Sequence, residues 1–514
     1  MQGREGSLGQ KLIANTVFNF LGQAYTLVLG LAVVPYVVHH LGAELYGLTA
    51  LAAALGGFAG LLNLGMGRAL SKYVSELYWQ GNLERIRELF RTSLGVSLLA
   101  GSLACLILIG FRDSLSAALF HGEPSTERYV VFALFVTAFG VLVSMVTESL
   151  SALPIALQRF DIFNRVNILL ATVRNVGAVA VLVIGWHVRA VLLAYLFASL
   201  VGLSAYVYYS RKLLPCLSLR PAFVWADFKR LVTFSFWVLV AGASALVVHR
   251  LDRVLVAYFL PIAAVAFYVV PYSLAEKTGI GIGNITSVIF PSASELSARQ
   301  DAARLKELYV RATKMGALAG LPVTIVLLAV PRQILRLWVG PEFAAQGALT
   351  LQLLAGGFFF NILGSVPYVL AQGIGRPWIS AKYSLLNGIV NLGLFLVLIP
   401  RLGIVGAGAG FFFSQVVLTP LFIWEMNRVV GVSWWRMLSH AYCRAWLCGL
   451  GGLVLLWVLR PYVESFLTLT LCCGAAVAVY GALAVVGAVD PHERAGVFRQ
   501  LTQTLRVGTR AVNP

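Results

Sequence analysis

Ser75-Glu76-Leu77, followed by Arg87-Glu88-Leu89, returns later in the chain as Ser294-Glu295-Leu296, followed by Lys306-Glu307-Leu308. Glu76 and Glu295 lie 219 positions apart, and the internal spacing is the same in both copies. Each copy comes after a long apolar run. Other pairs keep nearly the same offset: Lys11-Leu12 answers Arg230-Leu231, and Asn175-x-Gly177 answers Asn391-x-Gly393. The chain therefore reads as two related halves plus a tail. In a membrane protein such a duplication points to a transporter that handles its substrate between the halves.

The membrane reading comes from composition. Of 514 residues, 59% are hydrophobic and 12% are charged, and the mean hydropathy is +0.84. Soluble chains carry about 25% charged residues. Here apolar runs of about 20 residues or more are separated by short charged islands, as spanning helices require. Lipid leaves backbone groups no partners outside helices or closed barrels, and barrel strands would alternate with period two. The predicted class is an all-α polytopic membrane protein. The first run, from Leu12 to Val38, is too long for a signal-peptide core and reads as a first span. Cys105, Cys216, Cys443, Cys448, Cys472 and Cys473 lack metal-ligand spacing with histidines and read as small packing residues.

Fourteen spans are predicted, at 12–38, 45–70, 90–111, 129–157, 163–186, 189–210, 231–260, 262–291, 314–337, 346–372, 379–400, 404–427, 442–459 and 466–489. Tails and even-numbered loops then share one side. That side holds about 28 of the 39 Lys and Arg, which makes it cytoplasmic by the positive-inside rule. The same bias accounts for the net charge of +18 without nucleic acid as a partner. Spans 1–6 map onto spans 7–12 in the same orientation. The organisation is an N-lobe at 1–215, a C-lobe at 216–430, two extra spans within 431–489 and a cytoplasmic tail at 490–514. The charged repeats at 84–91 and 304–311 are predicted to be short amphipathic linker helices.

Ionisable residues inside spans cost about 3 kcal/mol or more and point to function. Span seven carries His249, Arg250, Asp252 and Arg253, with the two arginines three apart on one face. Span eight carries Glu276 and Lys277. The two clusters can meet across a central cavity. Glu148 in span four and Arg174 in span five are placed to pair, as a structural bridge or as part of a site. Asn15, Asn19 and Gln23 recur every four residues on span one, a polar stripe that should face protein or water. Asn284 and Thr286 follow the glycine-broken stretch Gly279-Ile280-Gly281-Ile282-Gly283, where close packing and a hinge are both open readings. There is no nucleotide-binding loop, HExxH or GxSxG elbow, so the chain reads as neither an ATP-driven pump by itself nor an enzyme.

Several stretches together resemble polysaccharide transport flippases of the Wzx type, in the MATE-like MOP superfamily. They are Pro35-Tyr36 with Leu41-Gly42-Ala43-Glu44-Leu45-Tyr46-Gly47, then Asn63-Leu64-Gly65-Met66-Gly67-Arg68-Ala69-Leu70-Ser71-Lys72-Tyr73, then Arg250-Leu251-Asp252-Arg253-Val254-Leu255-Val256. Phe290-Pro291-Ser292-Ala293-Ser294-Glu295-Leu296 and Gly373-Ile374-Gly375-Arg376-Pro377 followed by Gly403-Ile404-Val405-Gly406-Ala407-Gly408 continue the order. The resemblance spans roughly residues 10–430. It implies two six-helix lobes in a V, a bacterial inner membrane, and an undecaprenyl-diphosphate-linked oligosaccharide turned from the inner to the outer leaflet. It also implies cavity arginines that hold the diphosphate and two extra spans that help hold the lipid tail. The arginine-bearing first span of lipid II flippases has no match here, because Asn15, Asn19 and Gln23 occupy that stripe.

The expected substrate-binding residues are accordingly Arg250, Arg253, Lys277 and Arg174 for the diphosphate, with Asn15, Gln23 and Asn284 for sugar hydroxyls. Asp252, Glu276 and Glu148 are the candidates for coupling to H+ or Na+; no other cofactor is expected. Expected partners are membrane lipids, the lipid-linked glycan and other membrane proteins of glycan assembly. Two alternatives stand beside the flippase: a cation-coupled MATE-type drug exporter, and a non-transporting scaffold for glycan assembly.

Overall fold

A break in the first helix sets the pattern for the rest. The structure is a computed structural model that describes residues 5–59, 66–119, 124–215, 217–279 and 282–488, and the side chains of these except 5–21, 59, 119, 124–126, 234–249 and 284. Span one and the first part of span two lie on a single helix, α1 (Glu5–Ala59), interrupted at Gly42, where φ is +75°. Only glycine adopts that conformation without strain, so the chain can bend there and resume. The helices α2 (Met66–Trp79), α3 (Leu83–Gly110), α4 (Arg112–Leu119), α5 (Pro124–Ala156), α6 (Phe160–Val183), α7 (Val188–Leu213) and α8 (Trp225–Phe259) follow. Then come α9 (Ile262–Ala275), a 3₁₀ turn (Glu276–Gly279), α10 (Ile282–Ala298), α11 (Ala302–Ala329), α12 (Pro331–Trp338), α13 (Pro341–Gly373), α14 (Pro377–Leu402) and α15 (Ile404–Val430). A short α16 (Trp434–Met437) runs through a π-helical turn into α17 (Arg444–Leu459), and α18 (Phe466–Leu483) runs on into a last π-helical turn (Ala484–Ala488). There is no strand among the described residues.

The sequence echo is a structural one. α11 starts and ends 219 residues after α3, and α12 starts and ends 219 residues after α4. The caps repeat too: Asn82 accepts the Arg85 N–H at 3.1 Å, and Asp301 accepts the Arg304 N–H at 3.0 Å. Asn175 and Asn391 both donate to the carbonyl four residues earlier, at 2.8 and 3.0 Å. The repeated charged segments are not separate linker helices, as the sequence suggested. They are the first turns of α3 and α11, continuous with the apolar helix, because the caps start each helix at the turn itself.

Among the described residues, eleven helical segments are long and apolar enough to cross a membrane. The difference from fourteen lies in three places. Spans one and two share the apolar stretch Gly22–Phe58 of α1, span seven falls on α8, where the side chains of 234–249 lie outside the described residues, and span eight is cut by the turn at Glu276–Gly279. α9 thus gives way to a 3₁₀ turn just ahead of the glycine run, and Ile280 and Gly281 lie outside the described residues.

The chain packs as two compact units, Met1–Val269 with Phe395–Ile404, and Val270–Leu394 with Val405–Pro514. The first has a core of Met66, Leu70, Ile86, Phe90, Leu153 and Tyr206. The second has Tyr309, Leu321, Leu370, Met426 and Tyr480 in its core. Small residues let helices approach closely: Gly101 of α3 lies against Leu142 of α5, and Gly452 of α17 against Ala476 and Tyr480 of α18. The extra helices α17 and α18 belong to the second unit, where Tyr480 donates to the Leu318 carbonyl at 2.8 Å.

Candidate functional site

The first unit gathers three of the expected arginines around α1 and α8. Arg250, Asp252 and Arg253 occupy one turn of α8. Helical spacing puts Arg250 and Arg253 on one face and sends Asp252 elsewhere. Asp252 is buried at 1% exposure. Its carboxylate accepts the Tyr268 phenol at 2.6 Å and the Arg253 backbone N–H at 2.8 Å. A buried carboxylate is costly unless such donors meet it.

Arg250 reaches α1. Its Nη1 donates to the Ala53 carbonyl at 3.3 Å, and its side chain fills the space beside Gly57. A Cβ at residue 57 would overlap the guanidinium and lie 2.8 Å from its Cζ. Arg253 and Arg174 share a neighbour: both lie within electrostatic reach of the Tyr46 phenol on α1, as does Tyr195 of α7. Arg174, on α6, also lies within electrostatic reach of Tyr195. Two cations and two phenols from α1, α6, α7 and α8 thus share one neighbourhood. Such a group can bind a polyanion through charge while the phenols supply hydrogen bonds.

Other expected residues go elsewhere. Glu148 lies over Gly67, whose Cβ position is 2.7 Å from Glu148 Cγ. Lys277 and Glu276 are in the second unit, on the 3₁₀ turn, and pair at 3.6 Å. Gln23 is exposed. Asn15, Asn19 and Asn284 lie outside the residues whose side chains are described. Between α5 and α6, Arg159 grips Asp161 through two bonds of 2.9 and 3.0 Å. Cys105, Cys443, Cys448, Cys472 and Cys473 are free.

Sequence reasoning missed Tyr46, Tyr195, Gly57 and Tyr268. Gly57 carried a signal: it is the position 219 residues before Glu276, one of the places where the echo fails. Tyr46 lies inside the quoted motif Leu41–Gly47 but bears no charge, and nothing local marks Tyr195 or Tyr268.

A Shigella flexneri protein named "Putative O-antigen transporter" is 24% identical over 423 residues, covering 82% of this chain and 99% of that protein. A Haloferax volcanii protein named "Probable low-salt glycan biosynthesis flippase Agl15" is 23% identical over 47% of this chain and 49% of its own length. Among solved structures, the lipid II flippase MurJ in an inward closed conformation superposes with a TM-score of 0.71 at 14% identity, over 92% of this chain and 98% of that one. An inward-facing MATE-family multidrug resistance transporter of the MOP superfamily gives 0.69 at 14% identity, over 80% and 94%. These likenesses show the all-helical MATE-like fold. With its apolar helices, they make the chain a multi-pass membrane protein. A family model described as "Polysaccharide biosynthesis protein" matches residues 41–346, well over half of the sequence, and the chain belongs to that family, with the flippase-type resemblance read from its motifs.

Proposed function

We propose that this protein is a flippase that turns an undecaprenyl-diphosphate-linked oligosaccharide from the inner to the outer leaflet of the bacterial inner membrane, by alternating access and with both termini cytoplasmic. The observation that supports the reading is that Arg174 and Arg253 both lie within electrostatic reach of the Tyr46 phenol. A diphosphate bears charges that must leave water to cross lipid, and paired guanidiniums meet its oxygens with matched forks. The names of the O-antigen transporter and glycan flippase relatives support the same substrate class. Gln23, with Asn15 and Asn284, is assigned to sugar hydroxyls, and Lys277 to a second phosphate contact.

The drug-exporter alternative needs acids available to organic cations. Asp252 is engaged by Tyr268 and the Arg253 amide, and Glu276 by Lys277. We assign any H+ or Na+ coupling to Asp252, the buried carboxylate of the cluster, with Glu276 and Glu148 behind it. The decisive experiment reconstitutes the protein in vesicles with a labelled undecaprenyl-diphosphate sugar and follows the label's leaflet with and without an ion gradient. Protein-dependent flipping that Arg174→Ala/Arg253→Ala abolishes is expected. Flipping at the wild-type rate in that variant sinks the assignment of the site. No flipping by the wild type returns the chain to the scaffold reading.

A further inference from the structure

We infer that Arg250 is a positioning residue that clamps α8 to α1, not a ligand of the substrate, and that residue 57 is glycine in order to admit it. This rests on the reading of Arg253 and Arg174 as the substrate cations. The Arg250 side chain lies so close to α1 that a methyl group at residue 57 would overlap its Nη1 and come within 2.9 Å of its Cδ. Nη1 is committed to the Ala53 carbonyl, four residues before Gly57 on the same helix. One face of the guanidinium is therefore turned to a backbone wall, where no phosphate can enter. Arg253 sits three residues on, and its own N–H is fixed by Asp252, which Tyr268 holds from α9. The clamp and this brace hold the turn at both ends, and Arg253 is presented from it toward Tyr46. A long side chain so held gives up much of its rotamer freedom, and a group that positions a binding residue repays that cost by preorganisation.

The echo adds an independent reason. At the 219-residue offset, Gly57 answers Glu276 and Leu31 answers Arg250. The first half thus removes a side chain at the place where the second half has a carboxylate, and an arginine fills that space. Gly57 lies within helical α1 with no positive φ, so no left-handed turn requires a glycine there.

Two measurements test this. The first is a stability cycle in detergent with wild type, Gly57→Ala, Arg250→Ala and the double variant. Gly57→Ala should lower the melting midpoint in the wild-type background and leave it unchanged or raised in the Arg250→Ala background. Equal losses in both backgrounds overturn the clamp. The second is binding of undecaprenyl diphosphate to protein in nanodiscs, with flipping rates alongside. Arg253→Ala should weaken binding about tenfold or more. Arg250→Ala should shift affinity by about twofold or less while flipping slows about tenfold, and Gly57→Ala should slow flipping in the same way. Loss of binding in Arg250→Ala as large as in Arg253→Ala makes Arg250 a ligand and overturns the proposal. Failure of the wild type to bind undecaprenyl diphosphate counts against the flippase reading, and the stability cycle still decides the clamp.

Discussion

Asp227, in the first turn of α8, is fully buried against the guanidinium of Arg85 on α3, which also holds Glu88 at 2.6 Å. The segment leading into α8 is tied to the same helix. The Ala222 N–H donates to the Arg91 carbonyl at 3.1 Å, and Arg91 Nε donates back to the Arg220 carbonyl at 3.0 Å. Arg230 stacks over Tyr73 of α2 at 4.3 Å. The connection between the two sequence halves is thereby strapped to the helix that begins with the repeated phrase.

Removing Arg85 alone leaves a carboxylate at 0% exposure without its main partner. Arg85→Ala should cost about 3 kcal/mol, since breaking a buried pair strands the other charge. Arg85→Met/Asp227→Leu should recover most of that loss. Chemical or thermal unfolding in detergent measures both. A double variant no better than Arg85→Ala would show that the pair acts by more than mutual neutralisation.

Among the described residues, two non-glycine residues hold left-handed backbone, Gln158 and Gln300, both with φ of +56°. Each has a glycine partner in the other half. Gly81 (φ +71°) answers Gln300, and Gly375 (φ +75°) answers Gln158. One turn in each pair therefore carries strain that its twin avoids. Gln158→Gly and Gln300→Gly should each stabilise by up to about 1 kcal/mol, the left-handed cost less the larger entropy glycine loses on folding. Gly81→Gln and Gly375→Gln should move the melting midpoint the other way. A fall in midpoint for both glycine variants would remove the strain argument.

What was readable in the chain was what local chemistry repeats. Asn82 and Asp301 cap their helices through their own third residue, so the 219-residue offset survives into helix ends. The arginines of α8 were readable because charge is costly in lipid wherever it falls. What those charges touch was not readable. Gly57 and Arg250 are 193 positions apart, and Tyr46 comes within electrostatic reach of Arg174 and Arg253 only when α1, α6 and α8 pack. Uncharged partners give no sequence signal of this kind, because a tyrosine or glycine in a span is ordinary packing material. The linker-helix expectation failed for a related reason: charge spacing marks a helical face but not whether the helix stops.

Ser93, Ser97 and Ser149 form a buried hydroxyl group between α3 and α5, with Ser149 at 3.1 Å from Ser93 and 2.8 Å from Ser97. All three are at 0% exposure. Ser149→Ala takes a partner from two hydroxyls at once and should cost about 2 kcal/mol, whereas Ser93→Ala should cost about 1 kcal/mol. Unfolding midpoints of the two variants give the comparison. Equal costs would mean that Ser149 is not the shared centre.

Tyr268 and Asp252 allow the charge state of the cluster's carboxylate to be read without a titration. The phenol donates to Asp252 Oδ2 at 2.6 Å, and the acid is buried. A hydrogen bond to an ionised acceptor contributes about twice what a neutral one does. If Asp252 is ionised beside Arg250 and Arg253, Tyr268→Phe should cost about 2 kcal/mol. In an Asp252→Asn background, where the acceptor is neutral, the same change should cost about 1 kcal/mol. Unfolding of the four proteins at neutral pH closes the cycle. The expected result is the twofold ratio, which leaves Asp252 ionised at rest and able to take up the coupling ion. Equal costs would mean that Asp252 already holds a proton at rest, and the same phenol would then stand beside the group that exchanges it.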